Sequence, residues 1–533
     1  MKKMAKLLSV LLVLAMSISL AACSTTPNDN ADETPKDPTF TAGTYEATVD
    51  SVGGPLTVAV TVSDEKIESI EVKEIHDTEG IYQPAVERLP QMMVDNQSIN
   101  VDSVSGATLT SLHLKNAVKT ALSQATEKLE GFEEKVTYQA SAQSDMETEV
   151  VVVGTGMAGL GAATQLAIEG HKVVLLEELS YVGGNALSSE QYSFGGGEQW
   201  NALLTSFTEN GAVIRFEDYY GGMMQRMLPS EDTTTSYMNG ICLELLKVLE
   251  GKGAIVLTDT PAVDLIIEDG TVTGVVAKPL NQNEFKITAD AVLLANGGFQ
   301  GNQELIQKYI PYAKDAMKIG STRGTADHFE WLKDFNPATR DMDWELAMFY
   351  SINPTSGHHA VWGTHNHNFV DETGTALTDV QDYNYGSMQS YIATGSNQYY
   401  ILWSQTDVDG GMAGDDPRIM ESFITAKSAE TYSSLSEVAE KYNMPNLVDT
   451  MTARGYVEDD TYYVAKAKAG IYGTMGGLAV DEFFRVVTVD GTTIPGLFAA
   501  GETIGRNYAG GVGGSTLSGY NAGVKVSEIL GAQ

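Results

Sequence analysis

Residues 149–177 constrain this chain most tightly. The largely apolar run Glu149-Val150-Val151-Val152-Val153 passes without a break into Gly154-Thr155-Gly156-Met157-Ala158-Gly159. A helix-forming stretch follows to Ala167, then a second apolar run, Lys172-Val173-Val174-Leu175-Leu176, that stops at Glu177. This order predicts a βαβ unit with parallel strands, which need a sheet covered on both faces. Gly154 suits the tight turn, Gly156 the close approach of a pyrophosphate, and Gly159 the contact between helix and strand. Glu177 stands where an acid takes ribose hydroxyls. Met157 and Ala158 at the start of the helix, and Glu178 beyond the acid, complete the expected dinucleotide contacts. No second fingerprint of this kind is predicted, because Gly510-Gly511-Val512-Gly513-Gly514 lies after the Gly501-Glu502 turn and lacks the βαβ context.

The N-terminus has a different character. Lys2, Lys3 and Lys6 precede an apolar run from Leu7 that ends in Leu20-Ala21-Ala22-Cys23. The run is shorter than the ~20 apolar residues a membrane span needs, so residues 1–23 read as a cleaved export signal. Residues 24–39, rich in Thr, Pro, Asp and Asn, read as a flexible linker. Cys23 and Cys242 are the only cysteines, which excludes a disulfide framework, an iron–sulfur ligand set and a Cys-x-x-Cys redox pair. Cys242, inside Gly240-Ile241-Cys242-Leu243, reads as a small core residue. With 70 acidic against 33 basic residues and a net charge of −37, the surface is expected to repel nucleic acid and anionic lipid. No metal site is expected, because His358-His359 and His365-x-His367 have no further ligand at a zinc-like spacing.

Between linker and βαβ unit, the alternating runs Thr44 to Val49, Leu56 to Val62 and Ile67 to Val72 predict an antiparallel meander. Helical character over Val86 to Met93 and Ser111 to Ala125 then predicts a small α+β domain at 40–130, with a polar linker at 131–146. This domain holds Asp102-Ser103-Val104-Ser105-Gly106-Ala107-Thr108, where Gly106 and Ala107 would let backbone close on a phosphate beside the Thr108 hydroxyl.

Three resemblances add to this reading. Leu20-Ala21-Ala22-Cys23 resembles the bacterial lipobox, which implies a lipidated Cys23 and a protein exported and anchored to the outer face of the cytoplasmic membrane by lipid alone. The 102–108 segment, with Gly43-x-Tyr45-x-Ala47, resembles the FMN-binding domain of bacterial flavoprotein reductases and sodium-pumping quinone reductase subunits, which implies FMN esterified to Thr108. Residues 147–533 resemble the FAD-dependent fumarate reductase, urocanate reductase and 3-ketosteroid dehydrogenase superfamily. That resemblance is carried by Gly183-Gly184-Asn185, Ala295-Asn296-Gly297-Gly298-Phe299 and Ile494 to Glu502. It implies an α/β Rossmann-like FAD-binding domain at 147–340 and 471–533, interrupted by an α+β cap or substrate domain at 341–470. FAD is expected to be noncovalent, since residues 185 to 197 hold no His. Further FAD contacts implied are Gly184, Ala186, Ala262, Val263, Asp327, Gly501, Gly514, Ser515, Thr516 and Leu517.

The resemblance implies an enzyme that takes electrons from an external quinone- or flavin-linked donor and passes them to the activated C=C bond of a small unsaturated acid or ketone. The superfamily's dicarboxylate clamp of Arg and His is replaced here by Asn353-Pro354-Thr355, Gly473-Thr474-Met475, Gly511 and Tyr383-Asn384-Tyr385. A buried carboxylate without bidentate partners loses about 1.5–3 kcal/mol per charged hydrogen bond, so a substrate less charged than fumarate is expected. The proton donor is expected at Tyr383, with Tyr385, Tyr472, Tyr508 and His359 as the other candidates. A ketosteroid-like dehydrogenase running in the opposite direction and a non-catalytic flavin electron carrier stay open as alternatives.

Overall fold

The computed structural model describes residues 39–531 apart from 52, 78–79, 189–192, 195–197, 220–223, 230–236, 319–320, 354–356, 361–367, 378–397, 410–428 and 506–510. The alternation in the first unit produces a meander of β1 (Gly43–Ser51), β2 (Gly54–Val62) and β3 (Ile67–Glu74), antiparallel in the order β1-β2-β3. Leu56, Val58, Val60 and Val62 all turn to one face of the central strand and are buried there. Two helices, α1 (Gln83–Asn96) and α2 (Thr108–Leu122), close that face with Leu89, Met93, Leu114, Val118 and Ala121. Each of the Leu, Met and Val side chains, fully buried, contributes about 1.5–3 kcal/mol.

The βαβ unit forms as its pattern requires. Strand β4 (Met146–Val153) leads into α3 (Met157–Ile168), and β5 (Val173–Leu176) returns parallel to β4 with Val150 opposite Val173 and Val153 opposite Leu176. On its other side β4 pairs in parallel with Phe285–Leu294, which pairs in parallel with Thr493–Ala499. An eight-stranded sheet results, with Ile255–Leu257 beyond β5 and the antiparallel strands Ala262–Glu268 and Thr271–Ala277 at the far side. Because both faces are covered, the strands are continuously apolar rather than alternating, and Val150, Val151, Val152, Leu175 and Leu294 are buried. The helix Gly511–Gly531 packs on α3 through small residues: a Cβ on Gly519 would meet the Ala158 carbonyl oxygen at 2.0 Å.

A seven-stranded sheet forms the second layer system, ordered Gly357–Ala360, Glu345–Asn353, Tyr462–Thr474, Tyr399–Ser404, Asn368–Val370, with Met317–Lys318 and Ala429–Tyr432 also on Tyr462–Thr474. The long strand Tyr462–Thr474 brings Thr474 to the loop beyond Phe285–Leu294 of the eight-stranded sheet, where its hydroxyl accepts the Phe299 amide. The polar stretch ahead of β4 runs along both neighbouring units. Val136 bridges Val101, the Ala140 amide donates to Leu280 O at 3.0 Å, and the Lys286 amide donates to Asp145 Oδ1 at 2.8 Å.

Candidate active site

A cavity of roughly 1090 Å³, its open mouth included, lies at the C-terminal ends of β4, β5 and Phe285–Leu294, where ligands settle in open parallel sheets. Gly154, Gly156, Met157 and Ala158 form one wall from the turn after β4. Gly154 has φ +100°, and a Cβ there would stand 2.5 Å from the Ala295 carbonyl oxygen. Gly156 and Gly297 have nothing within 4 Å of where a Cβ would stand, so backbone faces open space beside a helix N-terminus. Glu177 and Glu178 come from the end of β5, and Gly184, Asn185 and Ala186 from the turn that follows. Ala262, Asn296, Gly297, Asp327, Tyr472, Glu502 and Ser515 supply the rest of the sequence-predicted wall.

The buried Glu177 accepts from the Thr155 hydroxyl, from the Thr155 amide at 3.1 Å and from the Leu179 amide at 2.8 Å. Burial raises its pKa all the same, against those three donors. Burial first, then the charge of Glu177, pushes Glu178 up to about 7, with Arg323 pulling it back and Asp327 adding to the rise. Burial also pushes Glu502 up to about 7. Gly473 gives that carboxylate its room, since a Cβ there would lie 2.7 Å from Glu502 Oε1. The residues fit FAD. Glu177 would hold the ribose hydroxyls, the 154–158 turn the pyrophosphate, and Asn185, Tyr472 and Glu502 the opposite end.

Other residues expected as cofactor contacts are not among those that line the cavity. Gly159 is pressed against the turn, where a Cβ would meet Gly154 O at 1.8 Å. Gly298 gives way to the Thr474 hydroxyl, which a Cβ would approach to 2.1 Å and which accepts the Phe299 amide at 2.8 Å. Gly501, at φ +72°, touches Ala158 and donates its amide to Ser518 Oγ at 2.8 Å. Thr516 and Leu517 are buried in the Gly511–Gly531 helix, which also carries Gly514, and Val263 lies in the strand Ala262–Glu268 outside the cavity.

Sequence reasoning missed the opposing loop, where Gln300, Ser321, Arg323, Gly324 and Thr325 line the cavity. Arg323 is the only basic side chain among the described residues of the wall. The Ser321 amide donates to Asn185 Oδ1 at 2.7 Å, tying this loop to the turn after β5. His328, also missed, sits behind the wall at 1% exposure with Nδ1 3.1 Å from Asn296 Oδ1. An amide oxygen accepts, so Nδ1 carries the proton. Burial pushes the ring's pKa down to about 3 and keeps it neutral.

Thr108 stands apart, exposed as the first residue of α2. Gly106, at φ +85°, makes the turn before it, and no side chain caps the helix N-terminus. Thr110 Oγ1 and Ser51 Oγ donate to the buried Asp77 at 2.5 and 2.8 Å, and the Gly53 amide donates to it at 2.9 Å, which stiffens the loop's base. Leu109 and Leu112 are 57% and 47% exposed beside Thr108. A free hydroxyl, an uncapped helix N-terminus and an apolar bed fit an esterified FMN.

Of the predicted proton donors, Tyr383, Tyr385 and Tyr508 lie outside the described residues, as do Cys23, His365 and His367. His359 belongs to the strand Gly357–Ala360, opposite Ser351. Tyr472 is 4% exposed and donates its hydroxyl to Asn185 O at 3.3 Å, while Asn185 Nδ2 donates back to Tyr472 O at 3.0 Å. That reciprocal pair makes Tyr472 a wall of the cavity.

Comparison with known proteins agrees with this geometry. Residues 198–519 match the FAD binding domain, residues 152–216 an NAD(P)-binding Rossmann-like domain, and residues 52–123 the FMN-binding domain. The chain is 26% identical to an NADH:acrylate oxidoreductase of Vibrio harveyi over 90% of its own length, but it spans only 60% of that protein. It is 24% identical to a urocanate reductase of Eggerthella lenta, covering 87% of this chain and 88% of that one. In fold it is similar to the open conformation of a flavocytochrome c3 fumarate reductase, with TM-score 0.59, 19% identity and coverage of 76% and 84%. A 3-ketosteroid Δ4-(5α)-dehydrogenase of Rhodococcus jostii follows at TM-score 0.56 and 19% identity, with 73% and 98% covered. With its match extending over more than half of the sequence, and an FMN-binding domain ahead of it, the chain belongs to the FAD binding domain family.

Proposed function

We propose that this protein is a flavin-dependent reductase of activated C=C bonds, fed through FMN on Thr108 by an external donor, and exported and lipid-anchored at Cys23. The observation that carries the reading is the placement of two flavin-type sites in one chain, with the loop of the first touching the mouth of the second. Ser105 Oγ accepts from Arg323 Nη2 at 3.2 Å, and Arg323 lines the FAD cavity. Similarity over nearly the whole chain to proteins named NADH:acrylate oxidoreductase and urocanate reductase supports the same reading.

Bound FAD supplies hydride-transfer chemistry. The protein's residues do the rest. Glu177 and the 154–158 turn bind and orient, Gly473 leaves room for the Glu502 carboxyl, and the Tyr472–Asn185 pair closes the wall. A general acid would protonate the carbon beside the one that is reduced, and the resemblance to the FAD superfamily gives that role to Tyr383, which aligns with the family's proton-donating position. With the Arg and His clamp replaced, the substrate class proposed is a monocarboxylic enoate or a neutral enone.

The test is anaerobic reoxidation of the reduced, doubly flavinylated protein by fumarate, urocanate, acrylate, aryl acrylates and enone steroids, followed at the flavin absorbance. Faster reoxidation by a monocarboxylate or enone than by fumarate is expected. Fumarate as the fastest acceptor would overturn the charge argument. Silence across the panel would overturn the reductase reading in favour of an electron carrier or a dehydrogenase.

A further inference from the structure

The FMN-type unit and the FAD-type unit are joined by more than the chain between them. Arg88, on α1, reaches across and donates through Nη2 to Asp259 Oδ2 at 2.7 Å and through Nη1 to Ser180 Oγ at 3.3 Å. Ser180 Oγ in turn donates to Asp259 Oδ1 at 2.5 Å, so both carboxylate oxygens are engaged. The pair is withdrawn from water, with side-chain exposures of 18% for Arg88 and 3% for Asp259. The Arg88 guanidinium also lies over the half-buried ring of Tyr138, 3.7 Å from its centre. Asp259 is held in the left-handed region at φ +52°, its amide donating to Leu179 O at 2.8 Å and its carbonyl accepting from Leu280 at 2.8 Å. A buried ion pair can fix one arrangement of a junction against others when its donors and acceptors are engaged. Here both carboxylate oxygens are engaged, and both terminal nitrogens of the guanidinium donate.

The consequence is read at the next residues along. Ser180 is followed by Tyr181, whose ring fills the space above Gly106: a Cβ on Gly106 would stand 2.2 Å from Tyr181 Cε1. Gly106 precedes Thr108 by two residues, and Tyr181 follows Glu177 and Glu178 of the cavity wall by a few. Arg323, on the same wall, donates to Ser105 from the other side. We propose that Arg88 and Asp259 form a latch that seats the Ser105-Gly106-Ala107-Thr108 loop against Tyr181 and Arg323. The latch fixes the two flavin sites relative to each other instead of leaving them on a free tether. Arg88 is then a positioning residue, outside the cavity wall and acting through Ser180 and Asp259. Its functional consequence rests on the relay proposed above. In that relay FMN held on Thr108 would supply electrons and FAD held in the cavity would receive them, and the latch would keep Thr108 and the cavity wall at one spacing.

Two measurements on the full-length, doubly flavinylated protein separate the latch from the relay. Amide hydrogen exchange of residues 104–108 and 178–182 reads docking directly and needs no substrate. Arg88→Met, which keeps the aliphatic stem, should raise exchange in both segments together by about tenfold or more, because Asp259 is left buried and unpaired. Asp259→Asn should do the same from the opposite side, and Arg88→Lys, which keeps the charge, should return most of the protection. Unchanged exchange in Arg88→Met and Asp259→Asn would overturn the latch, and so would loss of protection in only one of the two segments. The relay is read by mixing the fully reduced protein with excess acrylate or urocanate. The first half of the flavin absorbance should return at the wild-type rate, and the second half, which must cross the junction, about tenfold more slowly in Arg88→Met. Equal slowing of both halves would overturn a positioning role. No reoxidation at all would count against the proposed function and leave the exchange result standing.

Discussion

Two glycines three residues apart make opposite predictions when each is replaced by Ala. At Gly159 a Cβ would meet Gly154 O at 1.8 Å, and this oxygen belongs to backbone that is itself packed on Ala295. Helix α3 would have to retreat by about 1.6 Å to reach ordinary contact, and strain of this kind costs about 1–3 kcal/mol. At Gly156 a Cβ meets nothing within 4 Å and φ is −58°, so the folded apoprotein accommodates it. Loss of chain entropy in the unfolded state should then stabilise the apoprotein by about 0.4–1 kcal/mol. That same Cβ would point into the space reserved for a pyrophosphate. A tenfold loss of FAD affinity corresponds to about 1.4 kcal/mol. It removes about half of the roughly 2.7 kcal/mol that FAD at 100 times its Kd adds to stability.

Thermal unfolding of the apoproteins with and without FAD therefore separates the two substitutions. Gly156→Ala should unfold at or above the wild-type temperature without FAD and lose about half of the FAD-induced rise. Gly159→Ala should unfold several degrees lower in both conditions. A Gly156→Ala protein with the full FAD-induced rise would refute the assignment of the pyrophosphate to this turn. A Gly159→Ala protein as stable as wild type would refute the packing argument.

Three other outcomes follow from the site. Thr108→Val should abolish covalently bound flavin on a denaturing gel while changing unfolding free energy by less than about 0.5 kcal/mol, because the side chain is exposed and uncapped. Burial pushes the Cys242 thiol up to about 12, so iodoacetamide at pH 8 should leave Cys242 unmodified in the folded protein and label it after unfolding, as read by mass spectrometry. Glu502, raised from 4.5 to about 7, holds its proton more tightly folded than unfolded, so the apoprotein gains nothing from it at low pH and loses stability as pH rises between those two values. At about 1.36 kcal/mol per unit, Glu502→Gln should recover up to about 3 kcal/mol in apoprotein at pH 8 and nothing at pH 4. Equal effects at both pH values in chemical denaturation would refute the cause.

What was legible in the sequence and what was not divide along a physical line. The meander at β1 to β3, the βαβ unit and the turn glycines were readable because each depends on neighbours in the chain. Alternation at Leu56, Val58, Val60 and Val62 needs only a period of two, and Gly154 needs only a turn between an apolar strand and a helix. Glu177 was readable from its spacing because the length of one helix and one strand sets it. The far wall was not readable. Ser321, Arg323 and His328 enter the site through contacts with Asn185, Ser105 and Asn296, and nothing in the local pattern of residues 321–328 announces those partners. The resemblance to an FAD superfamily carried Asp327 but passed over Arg323, since an arginine at a loop tip is ordinarily a solvated charge. It also carried Gly501, Gly514, Thr516 and Leu517 as cofactor contacts. In the structure Gly501 packs against Ala158, and Gly514, Thr516 and Leu517 stand on a helix that lies on α3, whose close approach is made at Gly519 and Gly523. A glycine-rich helix beside a dinucleotide turn thus has two physical explanations, a ligand or a neighbouring backbone, and sequence spacing cannot separate them. Arg88 and Asp259, 171 residues apart, are the extreme case. Each alone is one more charge in a chain whose acidic excess is 37, and only their burial against each other shows that the first unit is seated on the second.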